Sequence, residues 1–238
     1  MQHRISKCNE YISKFRVHMF AGITQGLFSI DSLVKQEGLF HYTIRLNETL
    51  IKNLKIGASV AVDGVCQTVV DINGDTVGFD AMSETLAKTT LNDLFVNRKV
   101  SVERSICFGD EIGGHEVSGH VFEKGTIINR KAAENNLHLT IQCSEICFPF
   151  IKSKGFIAVD GSSLTIGVVS KAQRSFEVYL IPETLRVTNF ANKIVGDHVN
   201  LEPDMKTMVL VNAVQDYFSV IQHRIEKLEG KLENIKKC

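Results

Sequence analysis

The chain repeats itself in order and at a nearly constant offset, and this constrains its fold more than any other feature. Four blocks recur 97 to 99 positions later. Such self-similarity predicts a duplication in which one domain occurs twice. The paired blocks are Gly22 with Gly119, Val62–Thr68 with Val159–Thr165, Ser83–Leu86 with Pro182–Leu185, and Val100–Glu103 with Val199–Glu202.

Each repeat has the pattern of a small β domain. Short runs rich in β-branched residues are separated by turn residues such as Asn73-Gly74-Asp75. Closure of such strands into an antiparallel barrel would remove exposed strand edges. The predicted strands are Ser59–Val62, Thr68–Ile72, Val77–Phe79 and Val100–Glu103 in the first repeat, and Thr126–Ile128, His138–Gln142, Ile157–Val159, Thr165–Val169 and Phe176–Ile181 in the second.

The composition excludes several classes of protein. The 238 residues carry 27 Lys plus Arg against 27 Asp plus Glu, so no positive surplus predicts binding to nucleic acid or a membrane surface. No apolar run approaches the roughly 20 residues that span a bilayer. The six cysteines form no CxxC pair, and Cys143 with Cys147 lacks a second metal-ligand pair. We therefore predict a reduced, cytoplasmic protein without a metal site.

The C-terminal tail has a different periodicity. Apolar residues recur there at alternating spacings of three and four, which is typical of helices that wind around each other. Self-association is favoured over the alternative, a single amphipathic helix packed on its own barrel. The apolar heptad positions are Val211, Val214, Phe218, Ile221, Ile225, Leu228, Leu232 and Ile235.

These patterns divide the chain into four parts. We expect an N-terminal extension at 1–18, a first barrel at 19–115, a second barrel at 116–208 and an oligomerisation helix at 209–238. The extension has no apolar core of the kind found in secretory signals.

Five motifs now stand together, and in order, spacing and duplication they resemble the riboflavin synthase family from residue 19 to about 215. They are Met19–Ile23, Val62–Cys66, Gly113–Val121, Lys154–Gly161 and Ile181–Leu185. The resemblance implies an all-β fold of two tandem six-stranded Greek-key barrels followed by a C-terminal helix. It further implies a homotrimer, and it raises lumazine synthase as a partner.

The resemblance also implies a reaction. One molecule of 6,7-dimethyl-8-ribityllumazine gives a four-carbon unit to a second, yielding riboflavin and 5-amino-6-(ribitylamino)uracil without a cofactor. A diverged duplication suits this dismutation, because similar pockets can hold two copies of one compound in unequal surroundings. In the alignment Cys66 faces Ser163 and Ile23 faces His120, whereas Thr68 and Thr165 are the same.

Four residues are the catalytic candidates. His120 lies in the family's SGH motif and has an unperturbed pKa suited to a general base; alone it would more often be a structural histidine. Cys66 is a candidate nucleophile or acid–base thiol, although a free cysteine is more often a small buried hydrophobe. Ser59 is a candidate hydrogen-bond partner, and Asp204 resembles a family carboxylate at the subunit contact.

The remaining predicted site residues are candidates for substrate binding. Lys154 and the hydroxyl groups would meet ring carbonyls or the ribityl chain, whereas Gln67 departs from the family and would face the rim of the ligand or solvent. The full set is Gly22, Ile23, Thr24, Val65, Cys66, Gln67, Thr68, Asp80, Ala81, Met82, Ser83, Glu84, Thr85, Gly119, His120, Val121, Lys154, Ser163, Leu164, Thr165, Leu180, Ile181, Pro182, Glu183, Thr184 and Leu185.

Three other functions compete with this one. A non-catalytic lumazine-binding or flavin-binding fluorescent protein of the same fold would be expected to lose the counterparts of Cys66 and His120. A flavin-dependent reductase would need a dinucleotide-binding unit, and no GxGxxG follows a strand. A scaffold built on the C-terminal coil would leave the polar matches of both repeats unexplained.

Overall fold

The computed structural model describes residues 19–133 and 136–236, with side chains at 19–132 and 136–229. The predicted N-terminal extension and the heptad residues Leu232 and Ile235 therefore lie outside the described side chains. The first repeat is a closed barrel with strand order β1-β2-β5-β4-β3-β6. Its strands are β1 Gly26–Gln36, β2 Leu39–Arg45, β3 Ser59–Val62, β4 Val65–Asn73, β5 Thr76–Met82 and β6 Lys99–Arg104, with short helices α1 Glu48–Ile51 and α2 Ser83–Lys88.

The second repeat has the same strand order with one strand divided, in a sheet ordered β10-β9-β13-β7-β8-β12-β11. The outermost strands, β10 and β11, are neighbouring segments of chain that together correspond to β4. The elements are β7 Glu123–Ala133, β8 Asn136–Gln142, β9 Phe156–Val159, β10 Ser162–Thr165, β11 Val169–Ser170, β12 Ser175–Leu180, α3 Pro182–Val187 and β13 His198–Pro203.

The predicted strand Thr165–Val169 is therefore wrong, because the chain leaves the ladder between β10 and β11. Gly167 lies in this break, where an added Cβ would come within 2.4 Å of the ring of Tyr179. Single backbone bonds still join both sides: Ile166 N–H donates to Gly155 O and Gly167 N–H donates to Glu177 O. The glycine leaves room for the ring of Tyr179 at this break, a contact that sequence periodicity does not predict.

Alternation along the strands separates the barrel cores from the outer faces. On β4 Val65, Gln67 and Val69 are buried, whereas Cys66 is half-buried and Thr68 is exposed. The apolar inward set continues around each barrel and forms one core per repeat. Burial of this set drives the closure of each barrel and leaves the outward positions for other contacts.

A seam of small residues joins the two barrels. Ala61 on β3 and Ala158 on β9 pack in one apolar cluster with Phe20 and Val117. Beside them the hairpin turns Asp63-Gly64 and Asp160-Gly161 meet, with positive φ at all four residues. An Asp-Gly pair tolerates this left-handed conformation. The absence of a Cβ lets the two turns touch.

Buried polar groups lock the same seam. Asn200 on β13 donates to Asp63 O at 2.7 Å, and its Oδ1 accepts from Thr90 N at 2.8 Å. The Asp63 carboxylate accepts from Ser101 N at 2.7 Å and from Arg98 at 3.1 Å. Burial, followed by repulsion from Asp160, raises the pKa of Asp63 to about 6. The contacts of Asn200 cross between the barrels and specify how they dock, because a buried polar group left unpaired is costly.

Two short segments, one before each barrel, each contact the opposite barrel, so the two barrels exchange them. We call 20–24 the first lead segment and 117–121 the second. They pair through Phe20 and Val117, whose backbones exchange hydrogen bonds of 2.8 and 3.0 Å. Each segment begins its own repeat and yet hydrogen-bonds to the other barrel: Ser163 N–H donates to Gly22 O and Cys66 N–H donates to Gly119 O.

The second compact unit of the chain is a single long helix, α4, at Met205–Lys236. Several apolar residues of the predicted heptad pattern are exposed in the single chain. Phe218 is 64% exposed and Leu228 is 59% exposed. None of the helices in the described part of the chain is both long and apolar enough to cross a bilayer.

Gly64→Ala should destabilise the protein far more than Gly74→Ala, although both glycines have positive φ. At Gly74 an added Cβ meets nothing within 4 Å, so the left-handed conformation alone costs about 1–2 kcal/mol. At Gly64 the Cβ would lie 2.3 Å from Gly161 N, and overpacking should add roughly 1–3 kcal/mol. Urea unfolding of both variants measures the difference, and equal losses would contradict the tight seam.

Candidate functional site

Strand pairing gathers the first group of predicted residues on one outer face of the first barrel. Ser59 lies opposite Thr68, and Ala61 lies opposite Cys66, so all four side chains share that face. The second lead segment borders it, because Cys66 N–H donates to Gly119 O at 2.9 Å. The exposed His120 follows directly, so the structure brings Ser59, Cys66, Thr68 and His120 to one place.

The thiol and the histidine of this face share an electrostatic environment with Glu202. Burial raises the pKa of Cys66, a hydrogen bond from Ser59 opposes this rise, and the charge of Glu202 adds to it. Burial likewise raises the pKa of Glu202, whereas hydrogen bonds from Ser118 and Gly119 and the charge of His120 lower it. A thiol with a raised pKa stays protonated at neutral pH, so Cys66 presents an S–H group rather than a thiolate.

The second barrel presents the corresponding face with different chemistry. Thr165 lies opposite Phe156 and Ser163 lies opposite Ala158, so Phe156 occupies the place of Ser59 and Ser163 that of Cys66. His115 Nδ1 lies 2.7 Å from Ser163 Oγ, and its ring stacks on Phe156 at 5.4 Å. On this face the Ser163 hydroxyl hydrogen-bonds with the buried His115 imidazole. On the first face the Cys66 thiol hydrogen-bonds with the Ser59 hydroxyl instead.

The first lead segment borders this second face. Gly22 O accepts from Ser163 N at 2.8 Å, and Ile23 is 49% exposed beside it. Thr24 is buried, and its Oγ1 lies 2.9 Å from Ser162 Oγ. Thr24 is therefore engaged inside the seam, whereas Ile23 stands free at the position that His120 occupies in the other repeat.

The predicted residues 80–85 and 180–185 lie where the last hairpin strand of each barrel runs into a short helix. Met82 and Ile181 are 65% and 62% exposed there. The polar members are already paired on the surface: Asp80 with His41 at 2.7 Å and Glu183 with Arg186 at 2.6 Å. Six further predicted residues lie in the first turns of α2 and α3, directly after β5 and β12. They are Ser83, Glu84, Thr85, Pro182, Thr184 and Leu185.

Two further predicted residues lie at the edges of the second barrel. Lys154 is exposed, with φ of 67°, and its backbone N–H donates to Ile166 O at 2.8 Å. Asp204 follows β13 directly and is half-buried, two residues after Glu202. Val121, from the second lead segment, packs against the core of the first barrel.

Five predicted binding side chains point into the barrel interiors. The expectation that Gln67 faces a ligand rim or solvent is wrong: its Oε1 accepts from Tyr42 OH at 3.2 Å, and it is 4% exposed. The cause is the strand alternation, which turns every second residue of β4 inward. Val65, Ala81, Leu164 and Leu180 are core residues for the same reason.

Sequence reasoning did not assign Glu103, Glu202, His115 or Phe156 to the site. Glu103 Oε1 accepts from Ala21 N at 2.8 Å, whereas its buried Oε2 has no hydrogen-bond partner among the described residues. Burial raises the pKa of Glu103 to about 7, and the backbone amides of the first lead segment oppose this rise. The recurrence of Glu103 as Glu202 in the aligned repeats was the available signal.

Two clefts lie near these groups. One of about 600 Å³ is lined by Ala21, Ile23, Glu103 and the loop at 105–113. Another of about 550 Å³ is lined by Thr90, Arg98, Asn189 and Lys193. In the second cleft both cations are already paired, Arg98 with Asp63 and Lys193 with Asp160. The first cleft adjoins the second outer face through Ile23, whereas the described lining of the second cleft includes no residue of either face. We therefore place the candidate site on the two outer faces.

One cluster of potential metal ligands lies elsewhere, on the second barrel. The ligand atoms of Glu123, Cys143 and Cys147 lie within 4.8 Å of one another. Each already has a protein partner: Glu123 accepts from Ser144, Cys143 Sγ donates to Arg174 O, and Cys147 hydrogen-bonds with Cys143.

The duplicated barrel fold defines a protein of two tandem lumazine binding domains. The lumazine binding domain family matches residues 21–105 and 118–204. A crystal structure of LumP complexed with riboflavin superposes with a TM-score of 0.73 at 27% identity, covering 78% of this chain and 100% of LumP. LumP complexed with 6,7-dimethyl-8-(1'-D-ribityl) lumazine gives a TM-score of 0.71 at 26% identity, covering 78% and 99%.

The sequence relatives are more specific. Riboflavin synthase of Buchnera aphidicola subsp. Baizongia pistaciae is 39% identical over 85% of this chain and 95% of its own length. Riboflavin synthase of Escherichia coli K12 is 41% identical over 83% of this chain and 92% of its own. The chain belongs to the riboflavin synthase family.

The free energy of unfolding should fall as the pH rises from about 4.5 to above 7. Folding raises the pKa of Glu103 from its ordinary 4.5 to about 7, so the folded state favours the protonated form. This contribution is fully present below pH 4.5 and is lost as the pH rises through about 7, by roughly 3 kcal/mol for a shift of this size. Glu103→Gln should flatten this part of the profile in urea unfolding. An unchanged slope in that variant would contradict the assignment.

Proposed function

We propose that the chain dismutates two molecules of 6,7-dimethyl-8-ribityllumazine into riboflavin and 5-amino-6-(ribitylamino)uracil. The observation that carries this proposal is the pair of equivalent but unequal faces. Identical strand pairing presents Cys66 with Ser59 on one barrel and Ser163 with Phe156 on the other. One compound can thus be held twice in different surroundings, as donor and as acceptor. No external cofactor enters, since both reactants are the same compound.

The residues have distinct tasks in this proposal. The reaction needs removal of a proton from a C7 methyl group, and His120 is placed on an open edge beside Cys66 to take part in proton transfer. Cys66, kept as a thiol by burial, can donate a proton to the ring. Thr68, Thr165, Ser163 and the lead-segment carbonyls orient the two rings. Positioning and electrostatic stabilisation then supply much of the acceleration.

A binding protein without catalysis is the second candidate, because LumP shares the fold. The chemistry of the first face favours catalysis. A binder needs shape and hydrogen bonds, whereas a half-buried thiol beside a histidine and a carboxylate adds proton-transfer capacity that binding does not require. The riboflavin synthase relatives cover this chain at about 40% identity, which supports the same choice.

We further propose that the chain works as a homotrimer in the cytoplasm, divided as 1–18, 19–115, 116–208 and 209–238. Thr68 and His120 on the first face and Phe156 and Thr165 on the second are exposed in the single chain, as expected if another subunit covers them. The exposed apolar residues of α4 offer a surface for self-association. Association with lumazine synthase, which would supply the substrate nearby, rests on the family resemblance alone.

The direct test mixes the purified protein with 6,7-dimethyl-8-ribityllumazine and follows riboflavin by absorbance, with both products quantified by chromatography. The proposal predicts one riboflavin and one pyrimidine for every two lumazines consumed. Tight binding without product at high protein concentration would favour the binding protein instead.

His120→Ala and Cys66→Ser should each lower turnover by about 100-fold or more, because proton transfer in the transition state is lost. Both residues lie on an outer face, so thermal unfolding should change little. The matched controls are His138→Ala and Cys107→Ser, which remove a histidine and an exposed thiol outside both faces. Native rates in both test variants would refute the proposed roles.

Deleting residues 219–238 should convert the trimer to smaller species, because it removes the exposed apolar residues of α4 from Val220 to Leu228. Light scattering measures the mass, and activity should fall with assembly. A chain lacking only residues 237–238 serves as the control. A truncated protein of undiminished oligomeric mass would overturn the role of the helix.

A further inference from the structure

Glu103 and Glu202 occupy equivalent positions on β6 and β13, and each binds the lead segment of its own repeat. Glu103 accepts from Ala21 N at 2.8 Å. Glu202 Oε1 accepts from Ser118 N at 2.7 Å and from Ser118 Oγ at 2.8 Å, and its Oε2 accepts from Gly119 N at 3.0 Å. Both carboxyl groups are at least nine-tenths buried, so these are strong contacts shielded from water.

The lead segments in turn contact the opposite barrel at close range. An added Cβ at Gly22 would lie 2.6 Å from Ser163 Cβ, and one at Gly119 would lie 2.7 Å from Cys66 Cβ. The backbone bonds to Gly22 O and Gly119 O come from the amides of these same two residues. A small displacement of either segment would therefore change the surroundings of Ser163 or Cys66.

We propose that Glu103 and Glu202 are positioning residues that act across the seam. Glu103, on the first barrel, fixes the segment bordering the face of the second; Glu202, on the second barrel, fixes the segment bordering the face of the first. The proposal rests on the proposed function in taking these faces as lumazine sites. Each site then depends on a carboxylate from the opposite barrel.

The two positions differ in how firmly they hold their segments. Oε1 of Glu202 accepts from Ser118 N and Oγ, and its Oε2 accepts from Gly119 N, whereas Oε2 of Glu103 has no hydrogen-bond partner among the described residues. An amide at position 202 must therefore turn its NH₂ toward the backbone N–H of Ser118 or of Gly119. At position 103 the NH₂ can take the place of the unpartnered oxygen and keep the bond to Ala21.

This difference provides matched variants. Glu103→Met and Glu202→Met remove the acceptor at similar side-chain length. Glu103→Gln should retain the native contact, whereas Glu202→Gln should behave like Glu202→Met. Hydrogen exchange resolved to the Ser163 and Cys66 amides tests the crossed support without any ligand. We expect Glu103→Met to accelerate exchange at Ser163 and both Glu202 variants to accelerate it at Cys66, each by at least about tenfold.

Titration with 6,7-dimethyl-8-ribityllumazine in the same experiment gives the affinity of each face from its own amide. Glu103→Met should weaken binding at the second barrel by about tenfold or more and leave the first unchanged. Both Glu202 variants should do the reverse. Lack of binding by the native protein would instead count against the proposed function, while the ligand-free exchange still decides the positioning.

Three results would overturn the inference. They are accelerated exchange on the same barrel as the substitution, equal effects at both amides, and crossed exchange without a matching change in affinity. Should the methionine variants fail to fold, the glutamine pair decides alone. Glu202→Gln must then disturb Cys66 while Glu103→Gln leaves Ser163 as in the native protein.

Discussion

Two backbone hydrogen bonds, from Ser163 to Gly22 and from Cys66 to Gly119, hold each barrel against a segment of the other repeat. Because the segments are exchanged, neither barrel completes its outer face alone. Three features fix the distance between the two barrels: the seam of Ala61 and Ala158, the touching glycine turns and the buried Asn200. Each lead segment must span that distance to reach the opposite barrel. The geometry of the candidate sites therefore depends on how the two barrels dock.

The duplication explains why such a protein can treat one compound in two ways. Shared strand pairing gives both faces the same frame, in which Thr68 and Thr165 stand at matching positions. Substitutions then alter the chemistry without altering the frame, as where Phe156 replaces Ser59 and Ile23 replaces His120. A dismutation requires this combination of equal shape and unequal reactivity.

Much of the fold was predictable, because repeat alignment and strand alternation are local in the sequence. The strand Ser59–Val62 was predicted with its observed bounds, and the offset of the repeats anticipated the common strand order. The break at Gly167 was not predictable, since it coincides with a contact to Tyr179, twelve positions away in the chain, that strand periodicity does not encode.

The site was predicted in part. Cys66, Ser59, Thr68 and His120, which were predicted as site residues, lie together at the first face. Gln67 points inward, and the side of β4 on which it lies could be known only once the strand register was known. His115 and Glu103 were missed, because their partners Ser163 and Ala21 lie 48 and 82 positions away in sequence. The first contact crosses between the barrels and the second joins the two ends of one repeat, and no local pattern encodes either of them.

The central claim is that the two faces are matched sites for one heterocycle, each bordered by the other repeat's lead segment. A crystal structure with a non-reacting analogue of 6,7-dimethyl-8-ribityllumazine tests it most directly. The account predicts two bound molecules per chain, one against Cys66 and Gly119 and one against Ser163 and Gly22. A ligand bound away from both faces, or two ligands that avoid the lead segments, would contradict it.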